Sequence, residues 1–310
     1  MVAVVVAYNR RELLTETLKA LLGQSRPLDR IVVVDNASDD GSGELAREIA
    51  PQADVVSLSR NTGGAGGFAV GIERAVSAHG ADYVWVMDDD TVPTATAAEE
   101  LEAMAKRLPG ARLLASRVVW TDGRDHPMNT PRPWRLRSKR VDEALRGVDG
   151  FPFRSASFVS LFMPAALVRT LGLPIADYFL WNDDFEYSTR LVRGGVGVYC
   201  ARSVVEHRTK AFGDTAVDPG ERFYFEVRNK IWMFRHSRSL SLPEKGLYGG
   251  ATLLRWVRTY LNSPGRAVLR SAFTRGVRDG FQAPPRSNAE VLDGFGEVSD
   301  AIARFEASRG

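Results

Sequence analysis

Short apolar runs alternate with amphipathic segments through the first 90 residues of the chain. The apolar runs are rich in valine and aromatic residues, which is typical of buried β-strands, and they span residues 2–7, 30–35, 55–58 and 83–87. Between them, apolar residues recur near the 3.6-residue period of a helix, as at Leu14, Leu18 and Leu21. Strands and helices that alternate at this spacing predict an α/β fold with parallel strands and right-handed crossovers.

The pattern is looser farther along the chain. The predicted elements there are a helix at 99–108, a strand at 113–120, a strand and a helix within 155–172, a helix within 177–195 and the last strands within 197–209. Residues 121–150 are polar and contain three prolines, so we expect a long surface loop. Beyond Pro219 the chain changes to helical segments that mix basic and aromatic residues. We therefore predict two regions, residues 1–218 and 219–310.

Three consecutive carboxylates, Asp88, Asp89 and Asp90, follow the fourth apolar run. Open α/β sheets bind ligands at the carboxyl ends of their strands, and alternate side chains of an extended chain point to opposite sides. Asp88 and Asp90 can therefore face one site while Asp89 faces another. Hard oxygen ligands of this kind suit Mg²⁺ or Mn²⁺, although an acid-rich helix cap is the simpler interpretation.

Polar residues also follow the first two apolar runs. They are Tyr8, Asn9, Arg10, Asp35 and Asn36. In a parallel sheet they share the edge that carries the three aspartates, where a carboxylate and an amide can hydrogen-bond to the edge of a base. Ordinary turn and cap chemistry explains Asp35 and Asn36 about equally well.

A glycine-rich loop, RNTGGAGGF, begins at Arg60 and leads into a helix. Its glycines, Gly66 among them, permit close approach of the backbone, and the helix presents its amino end to an anion. The loop contains neither a Walker motif nor a dinucleotide fingerprint, and a purely structural turn stays open as an alternative.

A second acidic group lies in WNDDFEYSTR, residues 181–190. In a cleft, Asp183 or Asp184 could act as a general base, although acids at a helix start are also favoured by the helix dipole. His207 ends the last predicted strand and is a plausible third metal ligand, while most lone histidines are structural.

Composition narrows the class of protein. The chain has 310 residues, 44% of them hydrophobic and 25% charged, as in ordinary globular proteins. Its one cysteine excludes a disulfide framework and favours a reducing compartment. No apolar run is long enough to predict a membrane span, and the apolar start is too short for a signal peptide.

The net charge of +3 is unevenly distributed. Residues 221–280 contain 12 Lys or Arg and 4 acidic residues, so this part carries +8 and the remainder about −5. The basic and aromatic residues considered as a surface here are Phe223, Tyr224, Phe225, Arg228, Lys230, Trp232, Phe234, Arg235, Arg238, Arg255, Trp256, Arg258 and Tyr260. Rings and cations together favour a membrane surface with anionic headgroups over nucleic acid, and a solvated helical face is the simpler alternative.

Taken together, these motifs resemble those of the family 2 glycosyltransferases. The resemblance covers residues 2 to about 210 and rests on VVVAYNR, VVDNASDDGS, RNTGGAGGF, VMDDDT and WNDDFEYSTRLVRGG followed by a histidine. It implies a glycosyltransferase A-type fold, a Rossmann-like mixed sheet flanked by helices, here with a C-terminal helical region. Within the family, the glycine-rich loop, the three aspartates and the tryptophan-acid segment are most similar to actinobacterial galactofuranosyltransferases. The chain length and the early first strand favour the type that initiates cell-wall galactan.

This resemblance also implies functional roles. Asp184 would be the catalytic base; Asp88, Asp90 and His207 would hold Mn²⁺ or Mg²⁺; Tyr8, Asn9, Arg10, Asp35, Asn61, Gly66 and Asp89 would bind the nucleotide-sugar donor; and Trp181 and Asp183 would bind the acceptor. Because Asn182 separates Trp181 from the two acids, either aspartate could be the base, and we prefer Asp184.

The expected reaction is transfer of galactofuranose from UDP-galactofuranose to a polyprenyl-diphosphate-linked rhamnosyl-GlcNAc acceptor, with inversion. Residues 219–310 would contact the lipid acceptor and hold the protein peripherally on the cytoplasmic side of the plasma membrane. The alternatives are a family 2 rhamnosyltransferase that uses dTDP-rhamnose and a non-catalytic nucleotide-sugar or lipid-binding protein.

Overall fold

The computed structural model describes residues 1–134, 139–209, 212 and 218–309. Within these ranges one mixed sheet lies between two layers of helices. Its strands are β1 (Val2–Ala7), β2 (Arg30–Asp35), β3 (Asp54–Ser57), β4 (Tyr83–Asp88), β5 (Thr91–Pro93), β6 (Ala111–Val119), β7 (Pro152–Phe153), β8 (Leu161–Pro164) and β9 (Val196–His207). The α/β fold predicted from the sequence is confirmed.

The helices follow the predicted alternation in the first half of the chain and dominate its last third. They are α1 (Arg11–Leu22), α2 (Ser42–Ile49), α3 (Gly63–Ser77), α4 (Ala97–Arg107), α5 (Lys139–Ala144), α6 (Ala165–Leu171), α7 (Asp183–Val192), α8 (Phe223–His236), α9 (Leu242–Asn262), α10 (Arg266–Gln282), α11 (Asn288–Val291) and α12 (Glu297–Ala307).

The sheet order is β3-β2-β1-β4-β8-β6-β9-β5, and β7 pairs with β9. Strands β1 to β4 are mutually parallel, as the alternation of strands and helices predicts. Strand β8 is antiparallel to both β4 and β6, so the sheet is mixed beyond β4. The four parallel strands therefore end at one edge.

Two apolar cores lie on the two faces of this sheet because successive side chains of each strand alternate between them. Val4 of β1 belongs to the core that contains Phe68 of α3, whereas Val5 belongs to the core that contains Leu14 of α1. Every residue of β1 is buried, as expected for a strand covered on both sides.

A three-residue strand brings the end of β9 to the three aspartates. Strand β5 runs antiparallel to β9, and Thr91 is opposite His207 in this register. The backbone amide of Arg208 also donates to the carbonyl oxygen of Asp90 at 2.9 Å. Because this pairing fixes the chain directions, His207 lies beside Asp90.

The prediction of a long loop at 121–150 is wrong in part, because helix α5 lies in the second half of this segment. Residues 135–138 of this loop lie outside the described residues. The His126 ring, which is buried, anchors the proximal part, and its Nε2 lies 3.1 Å from the hydroxyl of Thr209.

The C-terminal helices divide into two groups. Helices α8 and α10 share a small apolar core with Val227 and Leu269 at its centre, whereas Leu292 and Ile302, near or within α11 and α12, join the core beside α3. The predicted boundary at residue 218 stays a prediction, and Leu292 and Ile302 pack with the first region. Among the described residues, none of the helices has the length and apolar character needed to cross a membrane.

Close packing of α3 on the sheet generates a first prediction. A Cβ atom on Gly71 would overlap Cγ1 of Val4 and lie 3.1 Å from Cγ2 of Val34. We expect Gly71→Ala to lower the free energy of unfolding by about 1–3 kcal/mol because overpacking outweighs the better helix propensity of alanine.

Gly250→Ala in α9, where a Cβ has open space, should leave that energy unchanged or raise it by up to about 1 kcal/mol. Urea unfolding followed by circular dichroism compares the two, and equal stability would contradict this packing.

Candidate active site

The carboxyl ends of the parallel strands bring three of the predicted polar groups to one edge of the sheet. Val6 of β1 is level with Asp88 of β4, and Ala7 is level with Asp35 of β2. The residues that follow these strands therefore surround one opening. This is the position at which open α/β sheets bind ligands.

Asp88, Asp90 and His207 form a cluster, the cation cluster, that suits a divalent cation. One ligand atom from each lies within 4.8 Å of the other two. The Nδ1 atom of His207 is 2.9 Å from Oδ1 of Asn129, so Nδ1 donates its proton there and Nε2 faces the aspartates. Oδ1 of Asp90 is buried and accepts no hydrogen bond of normal geometry from a described residue, although Nε2 of His207 is 3.2 Å away. Two carboxylates and an imidazole fit Mn²⁺ or Mg²⁺.

Crowding of these charges shifts their proton affinities. Burial, reinforced by the charge of Asp90, raises the pKa of Asp88 to about 6. Burial acts in the same direction on Asp90, but the neighbouring imidazole of His207 and the charge of Arg10 outweigh it and lower the pKa of Asp90. Burial opposes the charged form of His207, yet Asp90 and Asp88 overcome it and raise the pKa of His207. The cluster has excess negative charge that a cation would neutralise.

Asp89 faces away from this cluster, as the alternation of side chains predicts. Its Oδ2 accepts the backbone amide proton of Tyr8 at 3.0 Å, and its own carbonyl oxygen accepts the hydroxyl proton of Thr17 at 2.9 Å. Burial raises the pKa of Asp89 to about 7. Asp89 thus ties β4 to the end of β1, and its predicted contact with the donor sugar or ribose stays a prediction.

Arg10 bridges the two sides of the triple aspartate. Its guanidinium forms an ion pair with Asp90 and lies 3.7 Å from Oδ1 of Asp89. About half of the side chain is exposed. Arg10 therefore compensates the acidic charges, and a contact between Arg10 and uridine stays a prediction.

Asp183 and Asp184 begin helix α7 close enough to the cation cluster to interact with it electrically. Asp183 is buried, and burial together with the charge of Asp184 raises the pKa of Asp183 well above its usual range. Burial also raises the pKa of Asp184, but the amide of Phe185, at 2.6 Å, and the charge of Lys230 act against it. Asp88 interacts with both carboxylates. Both carboxylates therefore hold a proton more strongly than a free aspartate does.

Lys230 of α8 is the unexpected member of this group. Its side chain is buried, and burial lowers the pKa of Lys230 to about 8 despite the charges of Glu226 and Asp184. Nζ lies 3.9 Å from the centre of the Phe185 ring, in a cation–π contact. The interpretation of Lys230 as a membrane contact is therefore wrong, because this side chain faces the acids of α7.

The same correction applies to other residues of α8. Phe223, Arg228 and Trp232 are buried against the rest of the protein. The aromatic and basic character of α8 reflects packing between the C-terminal helices and the turn of residues 178–182, which precedes α7. Residues of the predicted surface that remain exposed are Arg235, Arg238, Arg255, Arg258 and Tyr260.

The predicted donor-binding residues differ in exposure. Tyr8 and Asn9 are exposed at the rim, and Asn9 has a left-handed backbone with φ of 53°. Asp35 is buried and accepts the amide proton of Ser38 at 3.0 Å. Asn61 accepts protons from the amide of Gly63 and from the side chain of Asn36.

Packing accounts for much of the glycine-rich loop. A Cβ on Gly66 would lie 2.5 Å from Cβ of Thr62, and Gly63 has φ of 70° with its Cα against the backbone of Phe179. Asn36, which is buried, accepts protons from the amide and hydroxyl of Thr62. The predicted approach of Gly66 to a ligand stays a prediction, and its local role is close packing.

Sequence reasoning missed three residues that shape the site. Asn129 orients His207, His126 lies 5.1 Å from His207 between ring centres, and Asn229 contacts the turn before α7. Nothing in the sequence pointed to Asn129 or His126, because both lie in a loop without a regular pattern of polar and apolar residues. Asn229 and Lys230 could have been found, since they are three and four residues after Glu226 and so form a polar face on an otherwise aromatic helix.

Comparison with known proteins agrees with this architecture. Residues 2–166 match the model of the family described as glycosyl transferase family 2. Over 199 residues, 63% of the chain, the sequence is 33% identical to galactofuranosyltransferase GlfT1 of Mycolicibacterium smegmatis. Over 206 residues it is 30% identical to the protein of the same name from Mycobacterium tuberculosis. The matched part spans 66% and 65% of these relatives, slightly less than two thirds of their length.

Solved structures support the same fold. The structure of S. aureus TarS 1-349 in complex with UDP aligns with a TM-score of 0.63 and 16% identity, over 99% of this chain and 87% of that one. The structure of GalNAc-T7 with UDP, GalNAc and Mn²⁺ aligns with a TM-score of 0.56 and 14% identity, over 83% and 56% of the two chains. At these identities the likeness concerns the fold, and it confirms the predicted A-type architecture.

The cation cluster generates a second prediction. We expect Asp90→Asn and His207→Ala each to weaken Mn²⁺ binding at least tenfold, because each removes a ligand of the proposed cation, and Asn129→Ala to weaken it less because Asn129 only orients His207. Titration of Mn²⁺ followed by electron paramagnetic resonance measures this without any substrate. His79→Ala is the matched control, since His79 pairs with Asp54 outside the cluster. Unchanged Mn²⁺ affinity in the folded His207→Ala variant would remove His207 from the site.

Proposed function

The chain belongs to glycosyl transferase family 2, and from that premise we propose that it is an inverting galactofuranosyltransferase. It transfers galactofuranose from UDP-galactofuranose to a polyprenyl-diphosphate-linked rhamnosyl-GlcNAc acceptor at the start of galactan synthesis. The name shared by its curated relatives supports the choice of sugar. The choice of acceptor rests on the sequence resemblance.

One observation carries the proposal: a three-ligand cation cluster and a pair of helix-start carboxylates converge although nearly a hundred residues separate them. Asp88 interacts electrically with both Asp183 and Asp184. A nucleotide diphosphate needs a cation near its oxygens, and a sugar acceptor needs a base near its hydroxyl. Both requirements can be met in one cleft here.

Asp184 would serve as the base. The acceptor hydroxyl gives its proton to Asp184 as its oxygen attacks the anomeric carbon, opposite the departing UDP, so the anomeric configuration inverts. Burial raises the pKa of Asp184 and so its affinity for the proton, while the positive charge of Lys230 favours the ionised resting form. Asp183, which is buried and whose pKa is raised well above its usual range by burial and by the charge of Asp184, would donate a hydrogen bond to the acceptor.

Asp88, Asp90 and His207 would hold Mn²⁺ or Mg²⁺, whose charge offsets the negative charge that builds on the diphosphate as it leaves. Arg10 would also contact this diphosphate, because its guanidinium pairs with Asp90 and about half of its side chain is exposed. Tyr8, Asn9, Asp35 and Asn61 would surround the uridine, and Trp181 would contact the acceptor.

Helix α9 would be the contact with the membrane, in place of the buried residues of α8. Leu247, Leu254, Val257 and Leu261 lie on one face of α9 at spacings of seven, three and four residues and are 57–65% exposed. Arg258 is exposed next to this face and suits anionic headgroups. An exposed apolar face with a basic flank is typical of helices that lie in a bilayer surface. The protein would then be peripheral, on the cytoplasmic side of the plasma membrane.

The third prediction tests the reaction. We expect the protein with Mn²⁺ to transfer galactofuranose from UDP-galactofuranose to the lipid-linked disaccharide, and not to use dTDP-rhamnose. Asp184→Asn should lower turnover by about 10²–10⁴-fold with donor affinity preserved, because it removes only the base. Asp29→Asn is the control, since the Asp29 side chain is 62% exposed and lies directly before β2, at the end of that strand opposite the candidate site. A radiolabelled sugar assay measures turnover, and near-normal turnover of Asp184→Asn would exclude Asp184 as the base.

The fourth prediction tests the membrane contact. We expect the wild-type protein to float with liposomes that contain anionic lipid, and the Leu254→Glu/Leu261→Glu variant to remain in the soluble fraction, because glutamate is costly to bury among acyl chains and repels anionic lipid. Leu242→Glu is a matched control, since Leu242 is exposed at the start of α9, before the apolar face. Flotation of the double variant equal to that of the wild type would exclude this face as the contact.

A further inference from the structure

The turn that leads into the candidate base has an unusual backbone. Phe179, Trp181 and Asn182 have φ values of 62°, 65° and 64°, in the left-handed region that residues with a Cβ rarely adopt. Such a conformation costs free energy and persists only where surrounding contacts fix it. Three such residues within four positions, directly before Asp183 and Asp184, therefore require an explanation.

Asn229 of α8 supplies much of it. This side chain is fully buried, and its Nδ2 donates to the carbonyl oxygens of Tyr178, Leu180 and Trp181 at 2.9, 2.9 and 2.8 Å. One amide has only two protons, so at least one of them is shared between two carbonyls. Three backbone carbonyl groups of this turn are thus held by one side chain.

Arg228 fixes the orientation of that amide. Its Nε donates to Oδ1 of Asn229 at 3.0 Å, so Nδ2 must face the turn. Its Nη2 donates to the carbonyl oxygens of Asp177 and Tyr178 at 2.6 and 3.2 Å. Both side chains therefore hold backbone carbonyl groups of the segment before α7.

Glu226 holds the last residue of the turn from the same face of α8. One of its oxygens accepts a proton from Nδ2 of Asn182 at 2.8 Å, and the other accepts one from Nε1 of Trp256 at 3.1 Å. Because Asn182 is the residue immediately before α7, its orientation sets the direction in which the first turn of that helix begins. Residues from α8 thus define the start of α7.

We propose that Asn229 is a positioning residue for sugar transfer: by holding the carbonyls of the 178–182 turn it keeps Asp184 directed at the acceptor hydroxyl. The inference rests on the proposed function of Asp184 and extends it to the C-terminal region. Without Asn229 the carbonyl groups of Tyr178, Leu180 and Trp181 lose this donor, the turn relaxes, and the base moves relative to the cation cluster. Displacements of about 1 Å at a reacting group are enough to slow an enzyme severely.

Asn288 offers a matched control. It is also buried, and it also binds backbone of the segment before α7, with Nδ2 2.8 Å from the carbonyl oxygen of Pro174 and Oδ1 2.8 Å from the amide of Ala176. Its contacts end before the left-handed residues begin. Removal of either asparagine should destabilise the protein, but only removal of Asn229 should reach the base.

The experiment compares Asn229→Ala, Asn229→Ser and Asn288→Ala in the full chain. For Asn229→Ala we expect kcat to fall at least tenfold, KM for UDP-galactofuranose to stay within twofold, and amides 178–185 to exchange hydrogen faster. Asn229→Ser keeps one donor and should be intermediate, which preserves the test if the alanine variant does not fold. Asn288→Ala should lower the melting temperature with kcat within twofold.

A double variant separates positioning from general stability. If Asn229 acts through Asp184, Asn229→Ala should cost little further turnover in the Asp184→Asn background. Normal kcat in folded Asn229 variants, an equal loss in Asn288→Ala, or multiplicative losses in the double variant would each overturn the inference. A wild-type protein that transfers no sugar would instead reject the proposed function, and hydrogen exchange of the turn would still report whether Asn229 holds it.

Discussion

Repulsion among buried carboxylates is the constraint on which this site depends. Asp88, Asp90, Asp183 and Asp184 come from two distant parts of the chain. Burial raises the pKa of Asp88, Asp183 and Asp184, and a neighbouring carboxylate adds to the shift of Asp88 and Asp183, whereas His207 and Arg10 lower the pKa of Asp90. Like charges gathered away from water persist only with cations nearby. Arg10, His207 and Lys230 supply part of that charge from three different elements, and a divalent cation would supply the rest.

The sheet topology decides which of these charges meet. The parallel strands bring Asp88 to the same edge as the ends of β1 and β2, and the short pairing of β5 with β9 adds His207. Asn129, from an irregular loop, then sets the proton position on the imidazole so that Nε2 faces the acids. The cluster of Asp88, Asp90 and His207 thus results from regular hydrogen bonding of the sheet together with one loop contact.

The C-terminal helices present two surfaces of different character, one polar and facing inward and one apolar and exposed. The inner face of α8 carries Glu226, Asn229 and Lys230 toward the turn and the acids that begin α7. Helix α9, of which Thr252 is the one buried residue, directs leucines outward. If α9 lies on a bilayer, α8, which would orient the base, also contacts that helix through Glu226 and Trp256. A lipid-linked acceptor would then reach the base from the side where the protein meets the membrane.

The sequence by itself determined the features that depend on local periodicity and on motif chemistry. Alternating apolar runs predicted the parallel strands β1 to β4, and the three aspartates with the WNDD segment and a following histidine predicted the family and the residues that would meet. Only the tertiary structure decided which side chains of α8 face inward, because aromatic and basic residues at helical spacing fit a buried interface and a membrane surface equally well. Lys230 and Asn229 took their roles from a turn nearly 50 residues earlier in the chain, and no local pattern records a contact whose two partners are brought together only by folding.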